Sequence, residues 1–170
     1  DVTDLNLPFF KGMRSVELSR PLTNLFTDSM TGWGNNATCT NSGGQVIVNS
    51  TSVASWTARS FTIPTLKPNT QYLVMWDSLS YTHTSSGTNA TIAVYSVVDG
   101  TSKGIANINN NSKCPTVRSL IFDTTGYETS NIQLRIHATT SNSETGITTV
   151  TGLRVFEWDE SLRALDFQTI

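Results

Sequence analysis

The chain reads as an all-β protein, a two-sheet antiparallel β-sandwich, and three observations carry that expectation. Apolar residues alternate with polar ones at period two in short runs, as in Phe61/Ile63, Tyr72/Val74/Trp76 and Ile132/Leu134/Ile136, the pattern of strands that bury one face. Clusters of Gly, Asn, Ser and Thr separate these runs at even spacing, which points to a sandwich or jelly roll. No segment keeps a helical apolar period for three turns.

The elements follow in order. Residues 1–21 mix apolar and charged residues without a sustained period and are punctuated by Pro8, Gly12 and Pro21, so they are expected to be a connecting arm. A sandwich over 22–160 would open with a short strand near Leu25-Phe26. Further strands are expected at about 45–48, 57–63, 72–79, 91–98, 117–123, 132–138 and 148–158, roughly eight in all. The link Leu66-Lys67-Pro68-Asn69-Thr70-Gln71-Tyr72 encodes reversal locally, because proline fixes φ and asparagine tolerates the left-handed region. Residues 161–170, with Leu162, Leu165 and Phe167, are expected to form a C-terminal connector, either a short helix or the start of another unit.

A length of 170 residues suits one domain with a modest core. The formal net charge is −2, which offers no basic field for nucleic acid or an anionic membrane. Ser, Thr and Asn take the place of charge on the surface and supply neutral donors and acceptors that suit polyols. No apolar run approaches the roughly 20 residues needed to span a bilayer, and the amino end lacks the basic and apolar halves of a leader, so a soluble chain is expected. Cys39 and Cys114, the two cysteines, are read in polar loops, either as free thiols or as one disulfide, and exclude a paired-cysteine metal site. Sequons at Asn36, Asn49, Asn89 and Asn110 are no more than the Ser/Thr content gives by chance.

Strand phase then picks out candidate residues. If Ile132, Leu134 and Ile136 enter the core, Gln133, Arg135 and His137 share the opposite face. The same choice buries Tyr72, Val74 and Trp76 and turns Leu73, Met75 and Asp77 outward. Trp33, between Gly32 and Gly34, and Trp56, at a strand mouth just before Arg59, are candidates for stacking on a ligand or for anchoring loops. Trp76 and Trp158 are expected to pack.

Catalytic motifs are wanting. Gly100-Thr101-Ser102-Lys103-Gly104 matches the nucleophile-elbow string, but the Asn-rich 105–112 cannot supply the required helix, and a hairpin turn is expected. His83 and His137 are too few and too distant for a metal site. Asp77, Asp123 and Glu128 stand in no glycosidase-like motif, so no enzyme and no cofactor is expected. Asp28 and the Glu157–Glu160 segment could meet and hold a structural Ca²⁺.

Two stretches carry a resemblance. FTIPTLKPNTQYLVMWDSLS and NIQLRIHATTSNSETGITTVTGLRVFEWDES together resemble the strand-turn-strand and closing strands of carbohydrate-binding modules with a galactose-binding-like jelly roll, over about 25–159. LNLPFFKGMRSVEL is similar to connectors in tail, baseplate and fibre proteins of bacteriophages infecting Gram-positive bacteria. The resemblance implies a non-catalytic adhesion module in a virion tail, facing the exterior and recognising host wall polysaccharide or teichoic acid beside other tail segments. It implies ligands on a concave sheet, bringing forward Asp77, Gln133, Arg135 and His137 with Arg135 and Asp77 lining a common groove, or in rim loops, bringing forward Trp33 and Trp56; Arg59, beside Trp56, is a further ligand-binding candidate. Asp77 stands where many relatives have an aromatic, which favours a hydrogen-bonded pocket. A structural spacer without a sugar site is the alternative, and a glycoside-active enzyme a distant third.

Overall fold

A computed structural model describes residues 23–34, 36–52, 57–83, 90–110, 117–139 and 144–158. Residues 1–21 and 161–170, expected to be a connecting arm and a C-terminal connector, lie outside the described residues, as do Trp56 and Cys114. Eleven strands are found among them: β1 (Ala37–Ser42), β2 (Gln45–Ser50), β3 (Thr57–Thr62), β4 (Gln71–Met75), β5 (Ser78–His83), β6 (Ala90–Val98), β7 (Thr101–Asn110), β8 (Ser119–Asp123), β9 (Ile132–Thr139), β10 (Gly146–Thr151) and β11 (Arg154–Glu157). Every strand pairing is antiparallel. One layer is the sheet β3-β9-β6-β7, and β1-β2-β10-β5 and β11-β4-β8 form the other. The fold is thus the expected antiparallel β-sandwich.

Period-two burial builds the core. Phe61 and Ile63, Val46 and Val48, Tyr72, Val74 and Trp76, Ile92 and Val94, and Ile132, Leu134 and Ile136 all turn inward. Phe26, in the segment that precedes β1, meets Phe61 edge to face with ring centroids 5.2 Å apart, and Tyr72 stacks on Phe122 at 5.3 Å.

The link before β4 is a hydrogen-bonded corner. The buried Tyr72 hydroxyl accepts from Lys67 N at 2.7 Å. The fully buried Thr124 hydroxyl donates to Lys67 O at 2.8 Å and accepts from Thr70 N at 2.9 Å. Asn69 has φ +51°, the left-handed position its side chain tolerates.

The short strand expected near Leu25-Phe26 is not formed: Leu25 N–H donates to Val155 O, but no ladder follows. Four further strands differ from expectation. β1 and β7 were not expected, because Ala37 is the one fully buried residue of β1 and β7 is rich in Asn, so neither shows apolar alternation. The expected single strands at 72–79 and 148–158 each break in two. Trp76-Asp77 and Gly152-Leu153 lie between β4 and β5 and between β10 and β11. Both pairs of strands change sheet there, so the second layer turns a corner. Gly152 takes φ +62°. The elbow string is a hairpin: Asp99 and Gly100, at φ +50° and +77°, form the turn, and Ser102 lies in strand β7. Cys39 belongs to β1, not to a loop, and is a free, half-buried thiol.

Candidate functional site on the outer face of the four-stranded sheet

Residues directly opposite each other in an antiparallel ladder project to the same side, so the register assigns faces. Ser60 opposes Arg135, Arg135 opposes Ala93, and Ala93 opposes Asn107. Trp33 extends this row by one more residue: its N–H donates to Ser60 O at 2.9 Å, and Ser60 N–H donates to Trp33 O at 2.7 Å. Neighbouring rows contain Thr62, Gln133 and Tyr95 on one side, and Ala58, His137 and Thr91 on the other. Since Ile136 and Leu134 face the core, this whole set faces away from it.

Trp33 reaches this face because of its two glycines. A Cβ on Gly32 would lie 2.8 Å from the Phe61 ring, and one on Gly34 would collide with Ala58 O. The backbone therefore lies flat on β3, and the indole projects outward with 51% of its surface exposed. Across the sheet, the half-buried Tyr95 ring stacks over the Arg135 guanidinium, 4.4 Å from centroid to Cζ. Gly104 opposes Tyr95 across a β-bulge, which leaves space beside the ring.

Arg135 is tied into the face. Its Nε donates to Ser60 Oγ at 3.1 Å, and its Nη2 reaches Gln133 Oε1 at 3.3 Å and Ser102 Oγ at 3.4 Å. It is only 7% exposed, and burial pulls its pKa down. The guanidinium thus holds three neutral oxygens and one ring in place. His137 is also buried, and its pKa falls to about 4, chiefly through burial and then through the Arg135 charge, opposed by a hydrogen bond with the Thr139 backbone. The imidazole is neutral at physiological pH. Polar groups left open on this face include Thr62, Ser102 and Asn107.

Of the expected site residues, Trp33, Gln133, Arg135 and His137 are brought together. Asp77 is not. It stands at the corner of the other layer, where its N–H donates to Thr151 O at 2.8 Å and its carboxylate pairs with Arg154 at 2.5 Å. A groove shared by Asp77 and Arg135 is therefore not formed; Trp76-Asp77 is the turn where β4 leaves its sheet, and strand alternation does not carry through it. Arg59 opposes Ile136 and so points to the core side, opposite to Arg135. Tyr95 was missed. Its alternation with Ile92 and Val94 marks the outward side of β6, but that β6 lies beside β9 was not legible locally. Asp28 accepts from the Gly43 and Gly44 amides, and Glu157 pairs with Lys67 at 2.6 Å. Among the described residues no cluster of three or more His, Cys, Asp or Glu is placed to hold a metal ion.

The same sandwich is found in solved carbohydrate-binding modules of family 29. One such module superposes with a TM-score of 0.53 at 13% identity, covering 88% of this chain and 97% of that one. A mutant family 29 module complexed with cellulohexaose gives 0.51 at 14% identity, covering 86% and 96%. Another mutant, complexed with mannohexaose, gives 0.53 at 12% identity, covering 86% and 97%. At these identities the likeness is one of fold. No family model matches the sequence, and no curated protein matches it.

Proposed function

We propose that this chain is a non-catalytic carbohydrate-binding module that takes a neutral glycan on the outer face of β3-β9-β6-β7. The observation that carries the reading is the exposed Trp33 indole on the same face as the Tyr95–Arg135 stack. An aromatic ring offers its face to the C–H surface of a sugar, while Ser, Thr, Asn and Gln groups around it pair with hydroxyls without the desolvation cost of a free charge. Arg135 presets these partners and so lowers the ordering cost of binding. Solved modules of the same fold, complexed with cellulohexaose and mannohexaose, support the class of ligand.

The module is further proposed to serve adhesion in a tail, baseplate or fibre protein of a phage of Gram-positive bacteria, exposed on the virion and bound to host wall polysaccharide. The support is the likeness of the segment before the sandwich to such connectors. Calorimetric titration against soluble neutral polysaccharides and their oligomers tests the binding. Labelled protein on whole Gram-positive cells, with extracted wall polysaccharide as competitor, tests the adhesion. A parent protein that answers to no glycan in either assay would leave the second reading, a structural spacer. That reading is favoured by the burial of Gln133, Arg135 and His137.

A further inference from the structure

We propose that Arg59 is a positioning residue for Trp33: it acts from the core side of β3, through the Gly32 carbonyl, to hold the indole on the outer face. The inference rests on the reading of Trp33 as the platform for a glycan. Trp33 belongs to no strand, and its bridge to Ser60 consists of two backbone hydrogen bonds at the edge of the sheet. Two such bonds leave an edge residue free to fray, since each is modest in water.

Arg59 adds the missing constraint. Its Nη1 donates to Gly32 O at 3.1 Å, immediately before Trp33, and its Cβ lies 3.2 Å from where a Gly32 Cβ would stand. Gly32 also packs on Phe61, and Gly34 on Ala58 O. The segment 32–34 is thereby pressed onto Ala58, Arg59 and Phe61 of β3, with Arg59 closing its core-side flank. The guanidinium is half-buried and joins no ion pair among the described residues, and its Nε has no hydrogen-bond partner there. A charge kept in such a place costs desolvation that an apolar side chain would avoid. What it does there is donate to the carbonyl that aims Trp33. Facing Ile136, it cannot touch a ligand on the opposite face.

The test is made on the full chain carrying 5-fluorotryptophan, with the Trp33 resonance assigned by Trp33→Phe. In the parent, the Trp33 amide should exchange slowly, and an amide exchanging at the rate of an unstructured chain overturns the proposal before any variant is made. Arg59→Met keeps the stem and removes the donor. It should shift or broaden the Trp33 resonance, raise its quenching by acrylamide, and leave the Trp76 resonance unmoved. Arg59→Lys should restore part of the effect. A Trp33 signal unchanged in Arg59→Met overturns the proposal, as does a loss of affinity with Trp33 unmoved. Where the parent binds a glycan, Arg59→Met should weaken it about three- to tenfold, the scale of one hydrogen bond. If Trp33 moves but the parent binds no glycan, the positioning role stands and the reading as a carbohydrate-binding module fails.

Discussion

Ser60 is the residue that joins the two halves of the candidate site, bridging to Trp33 through its backbone while standing opposite Arg135 in the ladder. Alternation around Ile132, Leu134 and Ile136 suffices to set Gln133, Arg135 and His137 on one face, and the glycines around Trp33 show a ring with little local cover. That Trp33 and Arg135 share a row depends on Ser60 pairing with both, a contact between segments far apart in sequence. Trp33→Ala should lower glycan affinity by about tenfold, the scale of a lost aromatic contact, with the thermal midpoint little changed; titration calorimetry and thermal melts of the same preparations check it. His137 makes a separate prediction. Its folded pKa of about 4 lies below the ordinary 6.5, so between those values the unfolded chain takes up a proton that the fold refuses. Stability should therefore be full above pH 6.5, fall as the pH drops, and have lost up to about 3 kcal/mol near pH 4. Urea melts across that range should show the slope in the parent and a much flatter one in His137→Gln.

Elements were legible where a strand buries one apolar row and hidden where it does not. β9 is plain in the sequence; β1 and β7 are held by ladders to β2 and β6, which no local pattern announces. The turn from Leu66 to Tyr72 was read from Pro68 and Asn69, but its lock, Thr124, comes from beyond β8. Tyr72→Phe strands the Lys67 N–H and should cost about 1–3 kcal/mol, measurable as a shift in urea midpoint at constant slope. The corner at Asp77 was mistaken for a stretch of strand, which is why its carboxylate was expected beside Arg135. The Arg154–Asp77 pair is largely solvent-exposed, so Asp77→Ala should cost at most about 1 kcal/mol and leave glycan affinity at the parent value. A loss of binding in that variant would show that the ligand reaches the other layer.

For the whole molecule, one weak site is the expectation: an affinity of roughly millimolar to tens of micromolar, equal to about 4 to 6 kcal/mol. Display of many copies on a particle should raise apparent affinity by about two to four orders of magnitude, which binding of beads at graded coating density would measure against the monomer. How the sandwich meets the segments before and after it follows from its edge. Leu25 N–H donates to Val155 O at 2.8 Å, and Val155 N–H donates to Asn24 Oδ1 at 2.9 Å, so the backbone comes in beside the strand by which it leaves. A pull between these two points does not stretch the sandwich along its length. It loads the Leu25–Val155 contact on the incoming side and, on the outgoing side, the Trp158 N–H to Gln71 O bond and the β11–β4 ladder. Attached in this way the domain hangs beside the line of force, as a pendant rather than a link.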